Sequence, residues 1–487
     1  MPKGLYKTEN LSDFKPARFT SKGTVELRSG KIPYHTVCED NVFYNKEGKP
    51  IASIFSYSYF RSDVEDPRPR PVLFGFNGGP GSSSMMVHVG FLGTKRMKYF
   101  DDPDQPTTLP PYEAVDNVDS LLDVADIVVV DPVGTGYGLL LDDGSAEQFF
   151  SIEEDAEALL TFISRWLTRY NRWLSPKYLV GESYGCIRSA VAAGIAGGGG
   201  KKRSYAMAFD GLVLIGNSIT TGRYFNRDIP CEPTVLAMPT VAAINWYHNH
   251  PSDQGLEEFI QEARRFADTE YMTALYRGGS LGREEYEAVR RKLSYYSGIS
   301  EDYLDEHLLR WDEEGAVKQI ARGKGVDFSR YDGRMTLPHF TSQMGTNYTT
   351  VKDDPSAKYS PYFHGIFSGV LCPQLGIQLE RDFLPSAGFS YDYFIRETDD
   401  RLSGEQLSSA MRRVPGMRVF FANGWYDLCT QIGMVYYLAN HAWLPKERTF
   451  IKGYPSGHML YIGDENIRAL NGDIRTFVTG GSVPASS

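Results

Sequence analysis

Gly181-Glu-Ser-Tyr-Gly185 follows directly on the apolar run Tyr178-Leu-Val180, and Ile187, Ala190 and Val191 then recur at helical spacing. A G-x-S-x-G segment between a strand and a helix is a nucleophile elbow: its glycines permit a turn too tight for side chains, and the serine hydroxyl is pushed out above the sheet. The N-terminus of the following helix favours negative charge nearby. A hydroxyl needs a base. A neutral imidazole can take its proton near pH 7 if an ionised carboxylate fixes the tautomer. On a scaffold of this kind the chain order is serine, acid, histidine.

Nine histidines compete for the role of base. His35 and His88 precede Ser183; His248, His250, His307, His339 and His364 lie in or near a segment of different texture; His441 sits inside a helical pattern. His458 stands in a loop just after the last strand-like run, and Asp427 follows the penultimate one in Asn423-Gly-Trp-Tyr-Asp-Leu. Singly, His458 reads as a surface-loop histidine and Asp427 as a helix N-cap. Together they fall in the order and places that the chemistry requires. A tetrahedral oxyanion also needs backbone donors, one from Tyr184 after the nucleophile and one from an earlier post-strand loop. Asn77-Gly-Gly-Pro-Gly-Ser-Ser-Ser84 offers the second, through Gly79, with bare backbone at Gly78 and Gly79 for a close approach. No Lys-Ser/Thr follows, which excludes a phosphate loop of the Walker type.

These residues need a sheet to hold them. Val72–Phe76, Ile127–Val130, Tyr178–Val180, Leu212–Ile215, Arg418–Ala422 and Thr449–Ile451 are short apolar runs that end in loops, as parallel strands covered on both faces do. Ile32–Val37 and Ile51–Phe60 read as antiparallel strands. Ser151 with Glu154 is a capping box, and Ile152, Ala156, Leu159, Leu160, Ile163, Trp166, Leu167 and Tyr170 continue a helix. Strand, helix, strand makes a mainly parallel sheet whose functional residues belong at the carboxyl ends. The first ~20 residues read as a polar arm, and 197–203 as a flexible loop. The expected organisation is an α/β core over 1–220, an inserted, largely helical cap over 221–400, and the rest of the core over 401–487.

The chain has 487 residues, with 51 Lys and Arg against 61 Asp and Glu, a net charge of −10. That balance argues against non-specific nucleic-acid binding, which needs cations to displace phosphate counterions; Lys201-Lys-Arg203 is too short a patch to change this. No run is long and apolar enough to span a membrane. The charged segment Met1–Thr24 lacks an apolar signal core. Cys38, Cys186, Cys231, Cys372 and Cys429 are odd in number and form no C-x-x-C pair. Reduced thiols in a cytoplasm fit this better than a disulfide framework or zinc site. The sequons at Asn10 and Asn347 then carry no meaning. His248-Asn-His250 lacks a third ligand for a metal. No cofactor and no metal are expected. Cys186 and Cys429 read as small buried side chains.

Five ordered segments together resemble the serine carboxypeptidase family, the relatives of carboxypeptidase C and cathepsin A. They are Asn77–Ser84, Asp131-Pro-Val-Gly-Thr-Gly136, Gly181–Gly185, the Asp427 loop and Gly457-His-Met459. The resemblance implies an α/β-hydrolase fold and release of C-terminal amino acids from peptides. It implies a triad of Ser183, Asp427 and His458, and an oxyanion hole from Gly79 and Tyr184. It also implies a clamp on the substrate's terminal carboxylate from Asn77, the Gly78 amide and Glu182. Glu182 beside a second carboxylate must share a proton with it, so peptide cleavage should favour acidic pH relative to ester cleavage. Three positions depart from the family. Gly75 stands in place of a usual tryptophan, Phe91 in place of an acidic residue, and Ser82 in place of a cysteine. The first two bear on the clamp and the third removes a disulfide. An esterase or acyltransferase uses the same machinery. A binding protein with a fossil site is the reading from another class.

Overall fold

The structure is a computed structural model that describes residues 14–100, 102–104, 109–198, 204–220, 233–344, 347–350, 353–387 and 403–484. The apolar runs form parallel strands: Val72–Phe76 (β4), Asp126–Asp131 (β5), Lys177–Glu182 (β6), Gly211–Ile215 (β7), Arg418–Gly424 (β8) and Thr449–Tyr454 (β9). Every residue of β4 to β7 is buried, which is why their sequences do not alternate. The aromatic-rich segments extend the sheet as an antiparallel meander, Arg18–Leu27 (β1), Gly30–Tyr44 (β2) and Pro50–Arg61 (β3). The order across the sheet is β1-β2-β3-β5-β4-β6-β7-β8-β9, with Leu139–Leu140 paired to β3 as a tenth strand.

Register decides what meets at the rim. Phe76 pairs with Gly181, Glu182 with Ile215, and Ile215 with Ala422. β6 and β7 therefore end level, β6 runs one residue past the end of β4, and β8 runs two residues past the end of β7. Asn77, Ser183 and Gly216, which follow β4, β6 and β7, and Asn423 near the end of β8 are thereby brought to one rim within a residue or two of register.

Helices cover both faces. Ile152–Arg169 (α1) starts where the Ser151 hydroxyl accepts from the Glu154 amide at 3.3 Å, a cap that contributes about 1 kcal/mol. It buries Ala156, Leu160, Ile163, Trp166 and Leu167 in the same cluster as Tyr184–Ala196 (α2). Asp464–Val478 packs on the opposite face. Helices between 233 and 320 assemble a third cluster of their own, which also takes in Trp425, Tyr426 and Leu428 from the loop after β8.

Two features differ from expectation. Residues 18–27 belong to an edge strand, not a polar arm; Met1 to Asp13 lie outside the described residues. Only Val25 and Leu27 are fully buried there, so the alternation is masked by polar side chains. The segment after 320 carries two antiparallel hairpins, Val326–Phe328 with Thr336–Pro338 and Thr341–Met344 with Asn347–Thr350. Tyr359, Tyr362, Phe363, Phe367 and Leu371 then return to the core on the sheet. The glycine-lysine loop lies largely outside the described residues.

Candidate active site

Ser183 sits between β6 and α2 at φ 59°, ψ −128°, a strained conformation that non-glycine residues adopt at a cost of about 1–3 kcal/mol. Neighbouring bonds hold it there. Its amide donates to Ile215 O at 2.9 Å, and its carbonyl accepts from the Cys186 amide at 2.8 Å and the Ser218 hydroxyl at 2.6 Å. The Cys186 thiol is buried against the carbonyls of Gly181 and Ile215, and burial pushes its ionisation well up. It is packing, not a nucleophile.

His458 Nδ1 lies 2.8 Å from Asp427 Oδ2. Both side chains are buried. Asp427 is also ordered by the amides of Cys429 at 2.8 Å and Thr430 at 2.9 Å, both on Oδ1, and by the Thr430 hydroxyl on Oδ2. With four donors the carboxylate cannot turn. Burial by itself lowers the His458 pKa, but the Asp427 charge and hydrogen bond, with Glu182 beside them, raise it above the ordinary imidazole value. The His458 amide donates to Tyr331 O at 2.6 Å. The ring lies against Gly216, where a Cβ would come within 2.9 Å of Cε1 and Nδ1; with φ +58° as well, only glycine fits there.

The glycine loop meets the elbow at Gly78. A Cβ there would stand 2.4 Å from the Tyr184 amide nitrogen and 2.7 Å from Glu182 O. The loop is pinned from three sides. Ser84 accepts from the Asn77 amide at 3.2 Å, and Asp131 Oδ1 accepts from the Ser84 amide at 2.8 Å. The strap after residue 382 donates from Ala387 to Gly81 O at 2.7 Å and accepts from Ser83 at Pro385 O, 3.0 Å. From below, the buried Arg188 donates to Asn77 O at 2.7 Å and to Asp155 Oδ2 at 2.6 Å, and the Tyr184 hydroxyl reaches the same carboxylate at 3.0 Å. Truncating one partner of such a buried pair costs roughly 3–5 kcal/mol.

Asn77 Nδ2 donates to Glu182 Oε1 at 2.8 Å, and its Oδ1 accepts from the Val87 amide at 3.0 Å, which fixes the amide's orientation. Burial raises the Glu182 pKa to about 7, against the pull of His458, Tyr461 and Asn77. Position 75 lies under the Leu92 side chain, with no room for a larger residue without rearrangement. Phe91 stacks on Tyr461 at 5.1 Å.

Ser183, His458, Asn77, Gly78, Gly79 and Glu182 all line one cavity of about 350 Å³, within the range of small-molecule sites. Met86, Tyr359, Phe363 and Met459 give it apolar walls. Cys429 also lines it, with its thiol pushed up to about 12, chiefly by burial. Asp427 is held behind His458. Tyr184 lies beneath the floor with its amide beside Gly78. All eight residues singled out from the sequence are thus gathered at one rim. His248 has another occupation: its ring stacks on Phe328 at 4.2 Å and its Nε2 is 2.7 Å from Gly333 O.

Sequence reasoning missed Thr430, the Arg188–Asp155 pair and Tyr461. An arginine inside the apolar face of α2 and an aspartate beside the apolar stripe of α1 were available signals. Thr430 and Tyr461 carry no signal in a single sequence.

Residues 44–278 match the model of a family described as serine carboxypeptidase. The chain resembles the serine carboxypeptidases. Serine carboxypeptidase-like 9 of Arabidopsis thaliana is 29% identical over 229 residues, 44% of this chain and 49% of that protein. Serine carboxypeptidase S10 family member 1 of Dictyostelium discoideum is 28% identical over 145 residues, 29% of this chain and 31% of that protein. The matched part thus spans about half the length of the first and about a third of the second. Among solved structures, Kex1(delta)p, a prohormone-processing carboxypeptidase from Saccharomyces cerevisiae, superimposes with a TM-score of 0.51 at 13% identity, covering 94% of this chain and 91% of that one. At that identity the likeness establishes the fold, which is that of the α/β hydrolases, as the sequence led us to expect.

Proposed function

We propose that this protein is a serine-type carboxypeptidase that removes C-terminal amino acids from peptides through an acyl-enzyme. Ser183 Oγ attacks the last peptide carbonyl as its proton passes to His458. Asp427, immobilised by four donors, keeps the imidazole's other nitrogen protonated and stabilises the imidazolium. The oxyanion forms against the amides of Gly79 and Tyr184. The C–N bond then breaks and the proton on His458 goes to the departing amine. Water, deprotonated by the same imidazole, attacks the ester and restores Ser183. Asn77, the Gly78 amide and Glu182 receive the terminal carboxylate, with the Glu182 proton shared between two carboxyl groups.

One observation carries the reading. Ser183, His458, Asn77 and Glu182 line a single cavity, with Asp427 hydrogen-bonded to His458 at 2.8 Å, and this supports the assignment. The test is digestion of a diverse peptide mixture, with Ser183→Ala as control. Loss of residues from free C-termini, and sparing of C-terminally amidated peptides, is the expected result. Cleavage of small esters alone would make it an esterase. Failure of a fluorophosphonate to label Ser183 in the folded protein would favour a binding protein with a fossil site.

A further inference from the structure

Glu182 makes one hydrogen bond where an ionised carboxylate can accept about four. Oε1 takes the Asn77 amide, whereas Oε2 is buried with no partner at hydrogen-bond geometry. A bare buried acceptor costs about 1–3 kcal/mol, and more when charged, so its surroundings matter. The hydroxyl of Tyr461, three residues beyond His458, is in the same condition: fully buried and without a partner at hydrogen-bond geometry. Its ring has little freedom. One face stacks on Phe91 at 5.1 Å, and Phe363 meets it edge-on at 6.4 Å. The ring also lies on the bare backbone of Gly90, where a Cβ would be 2.4 Å from Cε2. So fixed, the hydroxyl stands within electrostatic reach of both Glu182 and Asn77.

We propose that Tyr461 is a positioning residue of the Asn77–Glu182 pair, its hydroxyl holding Glu182 Oε2 as donor when the carboxyl is ionised and as acceptor when it is protonated. The two orphaned groups satisfy one another through a small turn of the Glu182 carboxyl group, the Tyr461 ring being held by its aromatic stack. The role in peptide recognition rests on the carboxylate clamp proposed above; the contact itself does not.

The groups facing Glu182 give the sign. His458, the Asn77 amide and the Tyr461 hydroxyl favour its charged form, and Asp427 and burial oppose it. Tyr99 and Cys186 lie in the same field and are themselves neutral near pH 7. Removing the hydroxyl removes a donor to the anion, so Glu182 stays protonated to higher pH.

The test is an infrared pH titration of the full-length protein, with the Glu182 carboxyl band identified by its absence in Glu182→Gln. In Tyr461→Phe the band should titrate at a pH higher by about one unit, the size of one hydrogen bond to a charged group. In the unaltered protein, tyrosine ring modes absent from Tyr461→Phe should shift across the interval in which Glu182 ionises. This second reading holds even if the variant folds poorly. An unmoved carboxyl band in a folded Tyr461→Phe, or tyrosine modes indifferent to the Glu182 titration, overturns the proposal. In kinetics, the high-pH decline of peptide cleavage should move upward relative to the ester profile. A moved infrared band with superimposable peptide and ester profiles supports the contact and overturns instead the carboxylate-binding role of Glu182.

Discussion

Asp427 and Glu182 are buried carboxyl groups on the same rim, and both act on His458, yet their surroundings differ. Asp427 accepts from two amides, one hydroxyl and one imidazole. Glu182 accepts from one amide, and its other oxygen has only the Tyr461 hydroxyl nearby, outside hydrogen-bond geometry. A saturated carboxylate is a fixed charge that orients its neighbour. An unsaturated one, with its pKa raised to about 7, is a group that changes protonation near neutrality and has capacity left for a ligand. On the proposed function, the difference gives Asp427 a part in every turnover and Glu182 a part in the choice of substrate.

The largest expected effects ignore that division. Ser183→Ala should abolish cleavage of peptides and esters alike, a fall of about 10⁶-fold in kcat by comparison with other serine triads. Intact-mass analysis after fluorophosphonate treatment should show no adduct. Asp427→Asn should lower kcat by about 10⁴-fold, equally for both substrate types, because the wrong tautomer of His458 is held. An effect confined to peptides would break the comparison.

Glu182→Met should raise KM for unblocked peptides, lowering kcat/KM about 10–100-fold, the range of one hydrogen bond to a charged group. Ester cleavage should change only a few-fold. The smallest effect sharpens the picture of Asp427: Thr430→Val removes one of four donors and should cost roughly 3–10-fold in kcat on both substrates.

Much of this was legible in the sequence for a physical reason. Parallel strands buried on both faces leave uniform apolar runs, and the runs end where the loops of the rim begin, so Ser183, Asp427 and His458 could be placed at that rim by order alone. What escaped depends on contacts between distant segments. The edge strand from Arg18 is hidden because its exposed face is polar. Tyr359 to Leu371 is apolar without announcing that it returns to the sheet. Arg188 and Asp155 make sense only once α1 and α2 are seen to share a face, and Tyr461 only once its ring is found stacked on Phe91.

The most direct test of the division of labour is the pH dependence of kcat/KM for an unblocked peptide beside that for an ester with no free carboxylate. Both should fall towards acid as His458, whose pKa is raised, takes up a proton. Only the peptide should also fall as pH rises through about 7 and Glu182 loses the proton it must share, with apparent values belonging to the interacting groups together. Glu182→Gln, a neutral donor at any pH, should erase that second decline. Identical profiles for peptide and ester in the unaltered protein would contradict the account.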